Sequence, residues 1–270
     1  MSKEKRFNKI CENIRKIKIQ GARNIAKAAL YAYSLLPTKK AKNKLISLRP
    51  TEPMLVNVLS KLDKIQYKEI LEHFDEAQRK INHYVSKLIK NNSVIFTHCH
   101  STNVVQALIY AKKKGKKFEV YLTETRPLYQ GHKTAKELKK ARIKVTTFIH
   151  AAAAIALEKK QDTKKTDLVL LGADAILKSG VINKVGSGMF TEIAKKHKIP
   201  VYIIADSWKY APENVKIEER SFKEVWKKVP KHIKIRNPAF EKIPKQNIKA
   251  IISELGILTY RQFLKEVKRK

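Results

Sequence analysis

The sequence predicts an α/β protein in which an N-terminal helical domain is followed by a doubly wound, Rossmann-like domain built on a parallel sheet. Up to residue 90, apolar side chains recur at the spacing of amphipathic helices. After Ser93, short apolar runs alternate with amphipathic segments, as in a parallel sheet covered by helices on both faces. Because the pattern changes near residue 92, we place the helical domain at residues 1–91 and the Rossmann-like catalytic domain at residues 92–270.

Each predicted element follows from a local pattern of apolar residues. Helical periodicity predicts helices in the first domain at residues 5–18, 22–35, 53–62 and 67–90. In the second domain, apolar runs predict strands at residues 94–97, 118–123, 144–149, 168–172 and 201–205. Amphipathic segments between them predict helices at residues 103–113, 134–140, 151–159 and 189–197. The last apolar segments predict closing helices at residues 248–255 and 259–267.

The composition limits the classes of function. The chain of 270 residues has 59 Lys and Arg against 24 Asp and Glu, a formal net charge of +35. The lysines are spread along the chain without an RNA-binding signature or zinc-finger spacing, so the charge indicates solvated faces that attract anionic substrates rather than a specific nucleic-acid site. Because no apolar run approaches the roughly 20 residues of a membrane span and no signal-peptide pattern is present, we expect a cytoplasmic protein.

The candidate catalytic residues follow the predicted strands. In a doubly wound sheet the ligand site lies beyond the carboxyl ends of the strands, and Cys99 and Asp174 occupy such positions. A thiol and a carboxyl that face one substrate suit proton transfer, since one removes a proton and the other supplies one. Both also fit ordinary roles, Cys99 as a small buried hydrophobe and Asp174 as a turn or helix-capping acid. Cys11 is interpreted as a core residue, and two distant cysteines indicate no disulfide framework.

Two further segments suit a phosphate. Ser101 and Thr102 open a predicted helix, where they can cap it and can also donate hydrogen bonds to a phosphate. Residues 183–188 resemble a phosphate-contacting turn before the next helix. The Walker spacing and the glycine fingerprint of dinucleotide-binding domains are missing, and the His, Cys and Asp residues lack metal-ligand spacing. We therefore expect neither a nicotinamide cofactor nor a metal.

Seven short motifs in a fixed order carry a resemblance to a known family. They are residues 21–26 (GARNIA), 48–51 (LRPT), 97–101 (THCHS), 123–127 with 130–131 (TETRP, QG), 172–176 (GADAI), 183–186 (NKVG) and 235–240 (IRNPAF). From residue 19 to residue 258, the chain resembles the family that contains the α, β and δ subunits of translation initiation factor 2B, methylthioribose-1-phosphate isomerase and archaeal ribose-1,5-bisphosphate isomerase. The isomerases of this family have the Thr-His-Cys and Gly-Ala-Asp turns, whereas the regulatory subunits usually lack this Cys and carry Glu for this Asp.

The resemblance implies an aldose–ketose isomerase that converts α-D-ribose 1,5-bisphosphate into D-ribulose 1,5-bisphosphate in an AMP-degrading route. Similarities at residues 179–184 and 206–210 favour this substrate within the family. It implies that Cys99 accepts a proton and Asp174 donates one, without a cofactor, through a cis-phosphoenolate or a hydride shift. The implied substrate contacts are Gln20, Gly21, Ala22, Arg23, Arg49, Ser101, Thr102, Asn103, Asn183, Lys184 and Lys209.

Departures from the family pattern keep two alternatives open, a methylthioribose-1-phosphate-type isomerase and a non-catalytic regulatory subunit. The first motif commonly opens with Arg-Gly-Ala, whereas this chain has Gln20, and we hypothesise that Arg23 supplies the missing charge. His150 stands where the family often has an acidic residue. By resemblance we expect a homodimer, or a hexamer built of dimers, that acts on a phosphorylated sugar.

Overall fold

The structure is a computed structural model that describes residues 1–49, 51–211 and 215–269. Pro50, which belongs to the second sequence motif, lies outside these residues. Within the described ranges, no helix combines the length and the apolar composition needed to cross a membrane.

Helices make up the first part of the chain: α1 Lys3–Arg15, α2 Ala22–Leu35, α3 Lys39–Ser47, α4 Pro53–Lys61 and α5 Tyr67–Leu88. The four predicted helices are confirmed, with small shifts at their ends. The prediction missed α3, because Ala41 and Leu45 are its buried residues and the lysines around them hide the apolar period. The hydroxyl of Thr38 starts this helix by accepting a hydrogen bond from the amide of Ala41 at 3.2 Å.

The strands are β1 Ser93–Thr97, β2 Phe118–Thr123, β3 Lys144–Phe148, β4 Leu168–Leu171, β5 Ala175–Ile176, β6 Gly180–Lys184, β7 Val201–Ile204, β8 Phe240–Pro244, β9 Ala250–Ser253 and β10 Gly256–Leu258. The remaining helices are α6 Thr102–Lys113, α7 Gln130–Lys140, α8 Ala153–Glu158, α9 Ser187–Lys196 and α10 Tyr260–Val267. The five predicted strands correspond to β1, β2, β3, β4 and β7.

The main sheet has the order β10-β9-β7-β4-β1-β2-β3, and its pairs are parallel except β9 with β10. β1 therefore lies between β2 and β4, and the chain winds outwards from it in both directions. This arrangement confirms the doubly wound, Rossmann-like prediction. The cleft beside such a reversal of strand order is where open α/β sheets bind ligands.

The predicted helix at residues 248–255 is wrong. β9 pairs with β7, and β10 returns antiparallel to it. All four residues of β9 are buried, because both faces of the strand are covered, and an apolar run of this length has no period that separates a buried strand from a buried helix. The turn between the strands is residues 254–255, and Gly256, which follows it as the first residue of β10, has a φ of +126° that favours glycine. The second closing helix is confirmed as α10.

A second sheet, β5-β6-β8, is antiparallel and was not predicted. β5 is only two residues long, which is too short to show a period. The sheet nevertheless positions the site, because the amide of Asp174, just before β5, donates to the carbonyl of Ile182 in β6 at 2.8 Å. The turn after β4 is thereby held beside the end of β6.

Apolar residues cover both faces of the main sheet, as alternation along β1 illustrates. Phe96 packs on one face with Phe190 of α9, whereas its neighbour Ile95 packs on the other face with α5 and α6. Ile81 and Val85 of α5 belong to that second core. Since the end of α5 packs on the sheet, the domain division at residue 91 stays a proposal.

Candidate active site

One cleft opens beyond the carboxyl ends of β1 and β4, beneath the loop that enters α2. Every residue that the sequence singled out for catalysis or substrate binding lines it: Gln20, Gly21, Ala22, Arg23, Arg49, Cys99, Ser101, Thr102, Asn103, Asp174, Asn183, Lys184 and Lys209. The structure thus brings all of these side chains and turns to one place. The part that each plays there is a proposal.

Cys99 lies in a strained turn directly after β1. Its φ is +65°, a left-handed conformation that non-glycine residues rarely adopt and that clusters at functional sites. Its amide donates to Thr125 Oγ1 at 3.0 Å, and its carbonyl accepts from Thr134 Oγ1 at 3.0 Å. Two hydroxyls from neighbouring elements therefore hold the thiol in place at the mouth of the strand.

The thiol of Cys99 is protonated at neutral pH. Burial raises its pKa to about 11, and the nearby carboxylate of Asp174 adds to this shift. The ammonium of Lys184 is the strongest opposing influence, followed by the backbone and Arg220. Cys99 therefore needs a neighbouring proton acceptor, or a cation drawn closer by substrate, before it acts as a base.

We expect alkylation of Cys99 by iodoacetamide to report this raised pKa. Only the thiolate reacts, so the rate in a Cys11→Ser background rises about tenfold per pH unit from pH 7 to about pH 10. The rate is measured by mass spectrometry of the intact chain at each pH. A rate that levels off near about pH 8.5, where an ordinary thiol titrates, would contradict the environment described here.

Asp174 occupies the turn between β4 and β5 and lines the same cleft as the turn after β1, the strand that neighbours β4. Burial raises the pKa of its carboxyl, and Lys209 and Arg49 are the main cations that oppose this shift. A raised pKa keeps a larger fraction of the carboxyl protonated near neutral pH than in an exposed aspartate. This is the property that a proton donor needs.

Glu52, which the sequence did not single out, adds a second buried carboxyl to the cleft. Burial raises its pKa to about 7, and the charge of Asp174 contributes to the shift. Its Oε1 lies 3.3 Å from Nη2 of Arg49. Glu52 and Asp174 line the same cleft. The charge of Asp174 makes the Glu52 carboxyl harder to deprotonate than burial alone would.

Two lysines and an amide supply groups suited to an anion. Lys184 ends β6 and is buried, and Lys209 is also buried, with Nζ donating to the carbonyl of Ala173 at 2.6 Å. Asn183 Nδ2 donates to Ser187 Oγ at 3.0 Å. Buried cations require counter-charges; Glu224 and Asp174 are the carboxyls that favour the charged form of Lys184. Ammonium groups in such a cleft suit a phosphorylated ligand.

The turn that presents Lys209, Ser207–Lys209, is fixed from behind. Asp206 Oδ1 accepts from the amide of Trp208 at 2.9 Å and lies 3.1 Å from Nε2 of His73. The ring of His73 stacks on that of Trp208 at 3.5 Å, and Glu254 accepts from the first amide of the turn at 3.1 Å. The side-chain nitrogen and oxygen atoms of His73, Asp206 and Glu254 that could ligate a metal ion lie within 4.8 Å of one another. Their hydrogen bonds instead hold the turn that carries Lys209 in place.

The first turn of α6 faces the cleft with small polar groups. Ser101 caps the helix, and its Oγ accepts from the amide of Val104 at 3.5 Å. The side chain of Asn103 is held by Gln78 Oε1 at 2.9 Å. Gly172 lies close to Ser101, since a Cβ at this glycine would stand 2.6 Å from the serine Oγ. The glycine of the Gly-Ala-Asp turn is therefore required for the approach of the two turns.

The loop before α2 contributes the motif that departs from the family pattern. Gln20 Nε2 donates to the carbonyl of Ile17 at 3.0 Å, and Arg23 forms an ion pair with the exposed Asp75. Arg23 lines the cleft, but part of its charge is compensated by this partner. That Arg23 replaces the missing family arginine stays a prediction, to be tested by the Michaelis constant of Arg23→Ala.

The histidines beside Cys99 serve the fold. Burial lowers the pKa of His98 to about 3, so its ring is neutral. Nε2 lies 3.0 Å from the carbonyl of Val185, to which it donates, and Nδ1 accepts from Thr123 Oγ1 at 2.6 Å. Burial also lowers the pKa of His100 to about 4. Both rings are neutral at pH 7, and neither supplies a charge to the thiol.

Four residues of the cleft wall lie outside the motifs found in the sequence: Ile17, Glu52, Lys133 and Arg220. Seven others belong to those motifs but were not predicted as site residues: Asn24, His98, His100, Gln130, Gly172, Ala173 and Phe240. Glu52 follows the second motif directly and precedes Pro53, which makes it look like the start of a helix. The position of Glu52 next to the motif at residues 48–51 was the sequence feature that could have identified it as a site residue. Arg220 comes from an irregular segment without a motif, so only the structure reveals it.

The fold and the cleft define a class of protein, a Rossmann-like α/β protein with a thiol and a carboxyl in a cleft lined by buried cations. The profile of the Initiation factor 2 subunit family matches residues 38–260. Because this match covers most of the chain, the chain belongs to the Initiation factor 2 subunit family.

Relatives and solved structures agree with this assignment. Ribose 1,5-bisphosphate isomerase of Methanocaldococcus jannaschii is 35% identical, over 92% of this chain and 89% of the relative. Ribose 1,5-bisphosphate isomerase of Thermococcus kodakarensis is 33% identical, over 83% of this chain and 80% of the relative. The crystal structure of translation initiation factor eIF-2B from Pyrococcus horikoshii superposes with a TM-score of 0.82 at 26% identity, covering 94% of this chain and 97% of that one.

Proposed function

We propose that this chain is a sugar-phosphate isomerase that converts α-D-ribose 1,5-bisphosphate into D-ribulose 1,5-bisphosphate. The observation that carries the proposal is the placement of Cys99 and Asp174 in one cleft together with buried cations. The similarity to ribose 1,5-bisphosphate isomerases of two archaea supports this substrate. The combination of proton-transfer groups with an anion site fits a reaction that rearranges hydrogens on a phosphorylated sugar.

The reaction moves protons without changing the overall composition. Opening of the furanose ring breaks the bond between C1 and the ring oxygen, which gains a proton. C2 then loses its hydrogen and its hydroxyl proton to become a ketone, and C1 gains a hydrogen. We propose that Cys99 takes the proton from C2 and that Asp174 supplies the proton gained by the ring oxygen. A hydride shift from C2 to C1 would satisfy the same balance and would leave the thiol a different role.

The electrostatics of the pair support this division of roles. Burial favours the protonated forms of both groups. One proton must therefore leave the pair before Cys99 acts as a base, and Lys184 is the cation that most favours the thiolate. Asp174, with its raised pKa, keeps the other proton for donation.

A non-catalytic regulatory role is the second candidate, because the superposed crystal structure is that of a translation initiation factor. The same fold supports both functions, so fold does not decide between them. The thiol and the carboxyl of the cleft favour the enzyme. A methylthioribose-1-phosphate-type isomerase would use the same pair but would need fewer cations for its single phosphate.

A comparison of three substrates tests the proposal. Purified protein is incubated separately with α-D-ribose 1,5-bisphosphate, methylthioribose 1-phosphate and ribose 5-phosphate, and ketose formation is followed by NMR. We expect kcat/KM for the bisphosphate to exceed the other two by at least about 100-fold, the value of two charge-assisted hydrogen bonds. Preference for methylthioribose 1-phosphate would assign the second isomerase activity. No turnover, together with tight binding to initiation factor 2, would establish the regulatory role.

The setting of the enzyme is also a proposal. We propose a cytoplasmic homodimer, or a hexamer of dimers, that acts in the degradation of AMP. The lysines spread along the sequence give the protein a positive charge, which supports long-range attraction of an anionic metabolite.

A further inference from the structure

Arg220 is a buried cation of the cleft whose position suggests a ligand. Its side chain is 8% exposed, and it lines the cleft from the irregular segment between β7 and β8. Glu218 Oε1 lies 3.5 Å from its Nε, and Glu224 Oε1 lies 3.7 Å from its Nη1. The two acids hold the guanidinium in place, but both distances exceed those of good hydrogen bonds.

Two donors of this guanidinium face carboxylates at ion-pair distance without forming hydrogen bonds to them. Nε and Nη1 of Arg220 are buried, and no described residue accepts a hydrogen bond from either. Nε and Nη1 of Arg49 are in the same condition among the described residues, and Glu218 Oε2 lies 3.5 Å from this Nε. Oε2 of Glu52 and Oε2 of Glu218 are likewise without hydrogen bonds among the described residues. Buried polar atoms are nearly always hydrogen-bonded in folded proteins, so this cluster of arginines and glutamates beside the cleft keeps a hydrogen-bonding capacity that an anionic ligand can use.

The charge of Arg220 acts on the reacting groups. It opposes the rise that burial causes in the pKa of the Cys99 thiol and of the Asp174 carboxyl, and it disfavours the charged form of Lys184. Arg220 therefore lies within electrostatic reach of the catalytic pair and of the lysine next to it. An anion bound to the Arg220 guanidinium would therefore lie near the Cys99 thiol and the Asp174 carboxyl, the groups proposed to transfer protons.

We propose that Arg220 is a substrate-binding residue that takes one phosphate of the sugar bisphosphate, together with Arg49. This inference rests on the proposed function. Guanidinium groups bind phosphate through two parallel N–H donors, and a fixed fork loses little freedom on binding. Glu218 lies 3.5 Å from Nε of each arginine, so one carboxylate holds both guanidinium groups beside the same cleft.

Kinetics of Arg220→Met and Arg220→Lys test the proposal. We expect the KM for ribose 1,5-bisphosphate to rise at least about tenfold in both variants, because methionine removes the charge and lysine cannot form the bidentate contact. The matched control is Arg236→Met. Arg236 belongs to the same region, is 69% exposed and pairs with Glu219, and its removal should leave KM unchanged.

A second readout separates this inference from the proposed function. Calorimetric binding of inorganic pyrophosphate needs no turnover, and we expect its affinity to fall at least about tenfold in Arg220→Met and Arg220→Lys but not in Arg236→Met. If the wild-type protein fails to isomerise the bisphosphate, the proposed function fails, while Arg220-dependent pyrophosphate binding still supports the anion site. Wild-type KM and wild-type pyrophosphate affinity in a folded Arg220→Lys protein would overturn the inference. If Arg220→Met unfolds, the lysine variant decides.

Discussion

Replacing Cys99 by serine, or Asp174 by asparagine, should each lower kcat on ribose 1,5-bisphosphate by about 10³-fold, within the range of general acid–base catalysis. Serine is nearly the same size but does not ionise to a useful base near neutral pH, and asparagine keeps the shape of aspartate but has no proton to donate. The two side chains occupy the same cleft. The double variant should be little worse than either single one, because residues that act as a unit are not additive.

Two controls make this prediction specific. Cys11→Ser changes the other cysteine, which is buried in the core of the helical region, and should retain wild-type kcat. Thermal unfolding of Cys99→Ser and Asp174→Asn should stay close to wild type, since neither change opens a large cavity. Turnover at more than a tenth of the wild-type rate in either folded variant would refute the proposed pair.

Lys184→Met should lower kcat/KM by at least about 100-fold, because it removes a buried cation beside both the thiol and the bound anion. The same change should raise the pKa of Cys99 further, since the lysine is the strongest influence opposing burial. Alkylation of the thiol at a fixed alkaline pH should therefore be slower in the variant than in the wild type. Substrate kinetics and thiol alkylation are measured on the same preparation.

Lys242→Met is the matched control for this change. Lys242 pairs with Ile182 in the neighbouring strand of the same small sheet, and its side chain is exposed. Its replacement should alter neither kcat/KM nor the alkylation rate. If Lys184→Met reacts with iodoacetamide as fast as the wild type, Lys184 does not stabilise the thiolate, and its part in the account is wrong.

The parts of the fold that were predictable have strong local patterns. β2 and α2 were predicted at their observed bounds, because a buried parallel strand and an alanine-rich helix each leave a clear period. β9 was mistaken for a helix because a short run buried on both faces has no period. β5 was missed because it is only two residues long. β6 was missed because one of its partners, β8, comes more than fifty residues later in the chain, and pairing over such a distance leaves no local pattern in the sequence.

The site was predictable where motifs follow strand ends. The sheet topology dictates that the turns after β1 and β4 meet, so Cys99 and Asp174 could be placed together without coordinates. What the sequence could not show is the environment of these groups. The raised pKa of Glu52 depends on burial and on the charge of Asp174. The position of Arg220 depends on Glu218 and Glu224, which lie 3.5 and 3.7 Å from its Nε and Nη1 without accepting hydrogen bonds from them. Both are properties of packing between distant segments.

The fate of C1 in α-D-[1-¹³C]ribose 1,5-bisphosphate tests directly whether this protein isomerises the sugar and whether Cys99 and Asp174 carry the reaction. The labelled sugar is incubated with wild-type protein and, at equal concentration, with the Cys99→Ser/Asp174→Asn double variant, and the carbon signal is followed by NMR. We expect the wild type to convert the acetal carbon into the CH₂ carbon of ribulose 1,5-bisphosphate, and we expect the double variant to leave the acetal carbon unchanged. An unchanged acetal signal with folded wild-type protein, or equal conversion by both proteins, would contradict this expectation.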